Sequence, residues 1–301
     1  VPSPVYSFSF APNPEWSRRF ASAPEIQAYM QQVAERNDLL GHIRLATSLT
    51  EAHFDESTGE WQFATDRGDS LRSRFFVCST GPLSQLRWPD IPGLDSFEGR
   101  AMHSARWDDS VKLDGARVGI VGCGSTGIQI LTALTVRAAK VVHFQRSPQW
   151  IMPVPQFDYT DEQRAAFRKD VKLIDEIRYN KEYWDAIIRF TDGVTNIDGP
   201  EMKQIEDLCL QNLETSVKDP VLREKLRPNY RAACKRLIYS FDYYAVAQQP
   251  NVETIVCGIR EIVPEGVIDN DGTLHKLDVL ALATGFRTDR FVRPISVKGI
   301  G

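Results

Sequence analysis

The chain has 301 residues, with 36 Lys and Arg against 40 Asp and Glu, so its net charge of −4 offers no basic footprint for nucleic acid. Its length suits about two domains with room for a sizeable core, while its apolar runs are short, the one nearest the C-terminus being Val279–Ala283, which excludes a transmembrane helix. No secretory signal is visible, and the five cysteines, Cys78, Cys123, Cys209, Cys234 and Cys257, stand far apart without a CxxC pair. Neither a zinc site nor a dithiol redox centre is expected, no metal is expected, and reduced thiols in a cytoplasmic protein without nucleic-acid or membrane partners are the plain reading.

In chain order, the first element is a hairpin signal. Glu60–Thr65 precedes a turn around Arg67-Gly68-Asp69, and Arg74–Cys78 then reads as a buried strand ending in Ser79-Thr80-Gly81. Next comes a cluster of Phe97, Gly99, His103, Trp107 and Asp108, followed by an apolar strand, Arg117–Val121, that runs into Gly122-x-Gly124-x-x-Gly127. A lone GxGxxG is weak. Here the strand before it and the helix-compatible run Ile128–Ala138 after it make the first half of a dinucleotide-binding βαβ unit. Gly122 permits the tight turn, Gly124 the close approach of a pyrophosphate, and Gly127 the tight helix–strand contact.

The second strand of that unit, Val141–Phe144, ends in Gln145-Arg146-Ser147 where an NAD site usually offers Asp or Glu to the ribose. Without the carboxylate a 2′-phosphate is not repelled, and Arg146 can pair with it, so NADPH is favoured over NADH. Asp158–Gln249 reads as helical. Phe167, Val171, Ile174, Ile177 and Trp184 recur along one part of it, and Pro200–Val217 places Ile205, Leu208, Cys209, Leu213 and Val217 on one face. Asp219-Pro220 and Pro228 punctuate the run. A second hairpin signal follows: Gly266-Val267-Ile268, a turn at Asn270-Asp271-Gly272, and a strand Leu277–Ala283 ending in Thr284-Gly285. Two Thr-Gly strand endings bracketing a GxGxxG unit predict an α/β protein with two nested Rossmann-like dinucleotide-binding domains and a helical insertion. The expected boundaries are 1–110 and 278–301 for one domain, 111–155 and 234–277 for the other, and 156–233 for the insertion.

Phe97-x-Gly99-x-x-x-His103-x-x-x-Trp107-Asp108, placed just ahead of Gly-Cys-Gly-Ser-Thr-Gly-Ile-Gln, resembles the fingerprint of type I Baeyer-Villiger monooxygenases, FxGxxxHxxxW followed by Pro or Asp. The likeness runs from Val1-Pro2-Ser3 and Tyr6–Phe10 to Ala283–Phe286. It implies a monooxygenase that uses FAD, NADPH and O2 to convert ketones to esters or lactones through a C4a-peroxyflavin. On the family pattern, Gly122, Gly124, Ser125, Thr126, Gly127, Gln129, Arg146, Ser147 and Lys235 would bind NADPH. Tyr6, the backbone at Leu49, Thr80, Gly81, Thr284, Gly285 and Phe286 would bind FAD.

Lys235-Arg236 is by itself also readable as a solvated basic pair. The resemblance gives Lys235 to the 2′-phosphate and Arg236 to the flavin side as the catalytic cation, and an extended segment would let the two side chains point opposite ways. Phe97, Gly99, His103, Trp107 and Asp108 are read as a hinge and latch rather than as a source of a general base. An N- or S-oxygenating flavin monooxygenase is the alternative activity. The family's first Gly-rich loop, which holds FAD, would precede Val1, and its substrate-closing part would follow Gly301. An internal fragment is therefore expected, inactive alone, and a non-catalytic NADP(H)-binding module is the remaining alternative.

Overall fold

Apolar runs punctuated by Gly, Asp and Asn form strands, and charged stretches with a recurring apolar side form helices. The computed structural model describes residues 1–300, so the Gly301 end of the segment 278–301 lies outside the described residues. Short helix α1 (Ser3–Tyr6) and α2 (Ala23–Arg36) precede the strands β1 (Leu49–Asp55), β2 (Glu60–Thr65) and β3 (Ser70–Ser73). After β4 (Arg100–His103) come β5 (Arg117–Val121), α3 (Ser125–Thr135), β6 (Lys140–Gln145) and β7 (Ile151–Pro153). The helical stretch contains α4 (Asp161–Lys169), α5 (Lys172–Arg178), α6 (Lys181–Thr195), α7 (Pro200–Ser216) and α8 (Pro220–Lys225). The chain returns through β8 (Ile238–Ser240), α9 (Tyr243–Ala247), β9 (Val252–Val256), β10 (Ile259–Val263), β11 (Gly266–Asp269), β12 (Leu274–Lys276), β13 (Val279–Leu282) and β14 (Ser296–Lys298).

The centre is a five-stranded parallel sheet in the order β4-β13-β5-β6-β9. Its inner strands β5, β6 and β13 read as near-continuous apolar runs because both faces are covered, as parallel sheets require. Ile128, Leu131 and Leu134 of α3 and Tyr243, Tyr244 and Ala247 of α9 pack on one face, while Ile262, Val267 and Leu277 from the β10–β12 hairpin region pack on the other. This is the α/β dinucleotide-binding fold that the sequence predicts. The second hairpin is also present as β11 and β12 around Asn270-Asp271-Gly272, and β10, which the sequence does not announce, adds antiparallel to β11.

Several expectations are corrected. The boundaries at 110 and 278 do not follow the sheet, since β4 and β13 pair with each other and β13 pairs with β5. A four-residue strand buried on both faces needs a neighbour at each edge, and that long-range choice leaves no local mark in the sequence. The strand expected over Arg74–Cys78 does not form. Phe75 is 76% and Val77 81% exposed, and no strand lies beside them among the described residues. The preceding β1–β3 form an antiparallel meander to which β14 adds in parallel.

The N-terminal residues share a core with the helical stretch. Trp16, Tyr29 and Val33 pack with Tyr159, Phe167 and Ile174, and Arg178 donates to the Ser7 carbonyl at 2.7 Å. Thr160 and Gln163 close a capping box at the start of α4. Within the helices Ile205, Cys209, Leu213 and Val217 are buried as expected, but Leu208, Val171 and Trp184 are exposed. Leu208 lies about 100° around the helix from Cys209, off the buried stripe.

Candidate nucleotide-binding and active site

The turn between β5 and α3 has the geometry its glycines suggest. Gly122 has φ +112°, and a Cβ there would meet the Ala283 carbonyl oxygen at 2.4 Å. A Cβ on Gly127 would sit 2.0 Å from the Gly122 carbonyl oxygen, so this residue lets the helix lie against the strand end. At Gly124 a Cβ would meet nothing within 4 Å. Open space therefore lies over the helix N-terminus, where Gly124 caps without a side-chain hydrogen bond and the first turn contains no acidic residue. Free N–H groups beneath a cradle that only a ligand would fill suit an anionic dinucleotide. Ser125 is half-buried, and Thr126 and Gln129 are exposed on the same helix.

Two cations flank this turn. Arg146, at the end of β6, is exposed, makes no ion pair among the described residues, and lies beside Gly258, whose Cβ would approach Arg146 Cγ at 4.0 Å. Lys235 hydrogen-bonds Ser147 Oγ and stands over the Tyr230 ring with its Nζ 4.3 Å from the centroid. Both cations are close enough to Cys123 to favour its thiolate, although burial outweighs them and pushes the thiol up. Cys123 Sγ donates to the Ser147 carbonyl at 3.3 Å and Gln149 Nε2 reaches Cys123 Sγ at 3.6 Å, tying the Gly-rich turn to the loop after β6.

Gln145 does not face this site. Its amide is buried, donating to Tyr243 Oη at 2.9 Å and lying 3.2 Å from His143 Nδ1, so only Arg146 and Ser147 occupy the position of the usual ribose carboxylate. His143 Nε2 lies 3.0 Å from the Gly122 carbonyl, to which a neutral imidazole protonated there donates. This buried chain supports the glycine turn from below. A histidine in the apolar strand Val-Val-His-Phe was a legible signal that the sequence reading did not use.

Burial lowers the His143 pKa from 6.5 to about 4. Unfolding must then take up a proton at any pH between these values, so the stability associated with neutral His143 is complete above pH 6.5 and is lost as pH falls through about 4. Over that window the linkage amounts to about 3 kcal/mol. Urea titrations at pH 7 and pH 4.5 should show this acid loss, and His143→Gln, less stable at pH 7, should show a smaller one. An unchanged pH slope in the variant would contradict it.

The fingerprint is held largely by its own contacts. A Cβ on Gly99 would clash with the Asp278 carbonyl oxygen at 2.4 Å and the Phe97 ring at 2.5 Å. Asp108 accepts from Arg100 at 2.8 Å and from the Ser110 N–H at 3.0 Å, and Trp107 packs on the core beneath α3. His103 is fully buried. Its Nδ1 accepts the Ala105 N–H at 3.2 Å, leaving Nε2–H to donate to the Gly285 carbonyl at 3.2 Å, and burial lowers its pKa. With both nitrogens engaged, it joins β4 to the turn after β13.

That turn brings the two Thr-Gly sequences onto facing chains. Thr284 Oγ1 donates to the Arg87 carbonyl, Arg87 N–H to the Gly285 carbonyl, and Leu86 bridges Phe286, while Thr80 Oγ1 donates to the Phe291 carbonyl. Gly81 and Gly285 both have positive φ, at +65° and +80°. Tyr6 ends α1, on the element packed against α5, and Leu49 opens the small sheet; neither hydrogen-bonds with this chain pair.

Arg236 differs from its neighbour. The 234–237 segment holds a bend at 234–235 and no strand; Arg236 is exposed there, while Lys235 reaches Ser147. Among the described residues it has no ion-pair partner.

The model of the flavin-binding monooxygenase-like family matches residues 4–161, just over half of the chain. The chain belongs to this family. It is 38% identical over 299 residues, 99% of its length, to an uncharacterized monooxygenase of Mycobacterium tuberculosis, of which it covers 59%. It is 36% identical over 301 residues to a Baeyer-Villiger monooxygenase of Streptomyces coelicolor, of which it covers 57%. Among solved structures, NADP+-bound cyclohexanone monooxygenase from Rhodococcus sp. Phi1 superimposes with a TM-score of 0.84 at 32% identity, covering 99% of this chain and 64% of that one. The chain thus spans about three-fifths of the curated relatives that it matches. Among the described residues no helix is long and apolar enough to cross a membrane, and no cluster of metal-ligating side chains occurs.

Proposed function

We propose that this chain forms the NADPH-binding part and a portion of the flavin-binding part of a Baeyer-Villiger monooxygenase, which converts a ketone, O2, NADPH and a proton to an ester or lactone, NADP+ and water. The observation that carries the reading is the open cradle of the Gly-rich turn at the α3 N-terminus with Lys235 held on Ser147 close by, next to an exposed Arg236 that has no ion-pair partner among the described residues. In this family bound FAD supplies the oxygen-transfer chemistry after reduction by NADPH. The residues here bind and orient. The α3 N-terminus with Gly122, Gly124, Ser125, Thr126, Gly127 and Gln129 holds the pyrophosphate side of NADPH, and Arg146, Ser147 and Lys235 hold its 2′-phosphate.

Thr80, Gly81, Thr284, Gly285 and Phe286, with Tyr6 and the backbone at Leu49, face FAD. Arg236 holds a fixed positive charge where oxygen develops negative charge. Phe97, Gly99, His103, Trp107 and Asp108 transmit the position of the nucleotide sheet to the Thr284–Phe286 turn, His103 acting as the latch.

The nucleotide assignment is tested by Arg146→Ala and Lys235→Ala. Losing one charge-assisted contact with a 2′-phosphate costs ~1.5 to 3 kcal/mol, roughly tenfold or more in affinity. Each variant should weaken NADPH and leave NADH little changed in equilibrium titrations. Equal losses for both cofactors would contradict the assignment.

A further inference from the structure

Tyr230 lies outside the Gly-rich turn and outside the Lys-Arg pair, on the loop between α8 and β8. It is fixed on three sides. Its backbone carbonyl accepts the Trp150 indole N–H at 2.8 Å, its hydroxyl lies 3.0 Å from both the Pro148 carbonyl and Gln149 Oε1, and its ring packs at the edge of the core that joins Trp150 to Met202 and Ile205 of α7. The remaining ring face meets the Lys235 ammonium at 4.3 Å. Lysine is otherwise a flexible point charge on a four-carbon stem, and an aromatic face is one of the few surfaces that attracts an ammonium without neutralising it. The Tyr230 phenol, which partial burial pushes up to about 12, is neutral at working pH.

We infer that Tyr230 is a specificity-determining positioning residue, which holds the Lys235 ammonium toward the 2′-phosphate and thereby links the choice of NADPH to the seating of the helical stretch on the nucleotide sheet. This rests on the assignment of Lys235 to the 2′-phosphate given above. Because the ring acts through Lys235, its effect should appear only with ligands bearing that phosphate and only while the lysine is present.

The test uses calorimetric binding of adenosine 2′,5′-bisphosphate and of 5′-AMP to the full-length protein, a readout independent of turnover. Tyr230→Leu should weaken the bisphosphate roughly three- to tenfold and leave 5′-AMP unchanged, whereas Tyr230→Phe, which keeps the ring face, should retain most of the affinity. In a Lys235→Ala background, Tyr230→Leu should cause no further loss. Should Tyr230→Leu fold poorly, replacing Tyr230 with increasingly fluorinated phenylalanines keeps the shape and drains the ring face, and bisphosphate affinity should fall with fluorination. Equal loss for both ligands, full additivity with Lys235→Ala, or no response to fluorination would overturn the inference. If Lys235→Ala itself leaves bisphosphate binding intact, the lysine assignment is what fails.

Discussion

Arg236→Ala should keep hydride transfer and lose ester formation. In the flavin-loaded full-length protein, NADPH should still bleach the flavin in the absence of O2, because the nucleotide cations Arg146 and Lys235 are untouched and Lys235 is anchored separately on Ser147 and Tyr230. Once O2 is admitted, the missing fixed charge should cost ~10²- to 10³-fold in product formation, the usual effect of removing a preorganised charge where an oxyanion develops. Reducing power should then leave as hydrogen peroxide. Stopped-flow spectra with and without O2, paired with product analysis, check this. Undiminished ester formation would return Arg236 to the role of a solvated surface cation.

Gly124→Val and Gly127→Ala should fail in opposite ways. At Gly124 a Cβ would meet nothing within 4 Å, and the backbone, with φ −72° and ψ −176°, is in the extended region that valine adopts. That variant should fold with an unchanged Tm and lose NADPH binding at least tenfold, since its side chain fills the space over the α3 N-terminus where phosphate must approach the backbone. At Gly127 even a methyl group would lie 2.0 Å from the Gly122 carbonyl oxygen, so α3 must move away from β5. Such overpacking costs about 1 to 3 kcal/mol, and Tm should drop by several degrees. Thermal melts and nucleotide titrations of both variants separate the two effects. A Gly124→Val protein that binds NADPH normally would place the dinucleotide elsewhere.

What could be read from the sequence was local. The β5–α3–β6 unit announces itself because an apolar strand, three spaced glycines and a helical run are contiguous, and each glycine has a separate steric duty. The β11–β12 turn was equally legible from Asn270-Asp271-Gly272. What escaped depends on distant partners. Nothing in Val279–Leu282 says that it lies between β4 and β5, and nothing in Trp16 or Tyr29 says that they share a core with Tyr159 and Phe167. Phe75 and Val77 read as a buried strand because their composition is apolar, but burial requires neighbours, which the described residues do not provide. At the site, the glycines and Arg146 stood out by type and spacing, whereas the roles given to Lys235 and Arg236 rested on the family resemblance. The burial of Gln145 left no mark because strand residues covered on both faces do not alternate in exposure, and Tyr230 was missed because its role depends on a contact with Lys235 across a bent loop.

The proposed activity is an NADPH-dependent oxygen transfer to ketones. It is tested most directly by supplying the flavin-loaded full-length protein with NADPH, a panel of ketones and ¹⁸O2, then measuring label in the product by mass spectrometry alongside NADPH consumed. The account predicts, for the accepted ketone, an ester or lactone carrying a single ¹⁸O atom, with one NADPH oxidised per product molecule. NADPH oxidation that yields only hydrogen peroxide with every ketone, or labelled oxygen found on amines or sulfides and never on a ketone-derived ester, would contradict it.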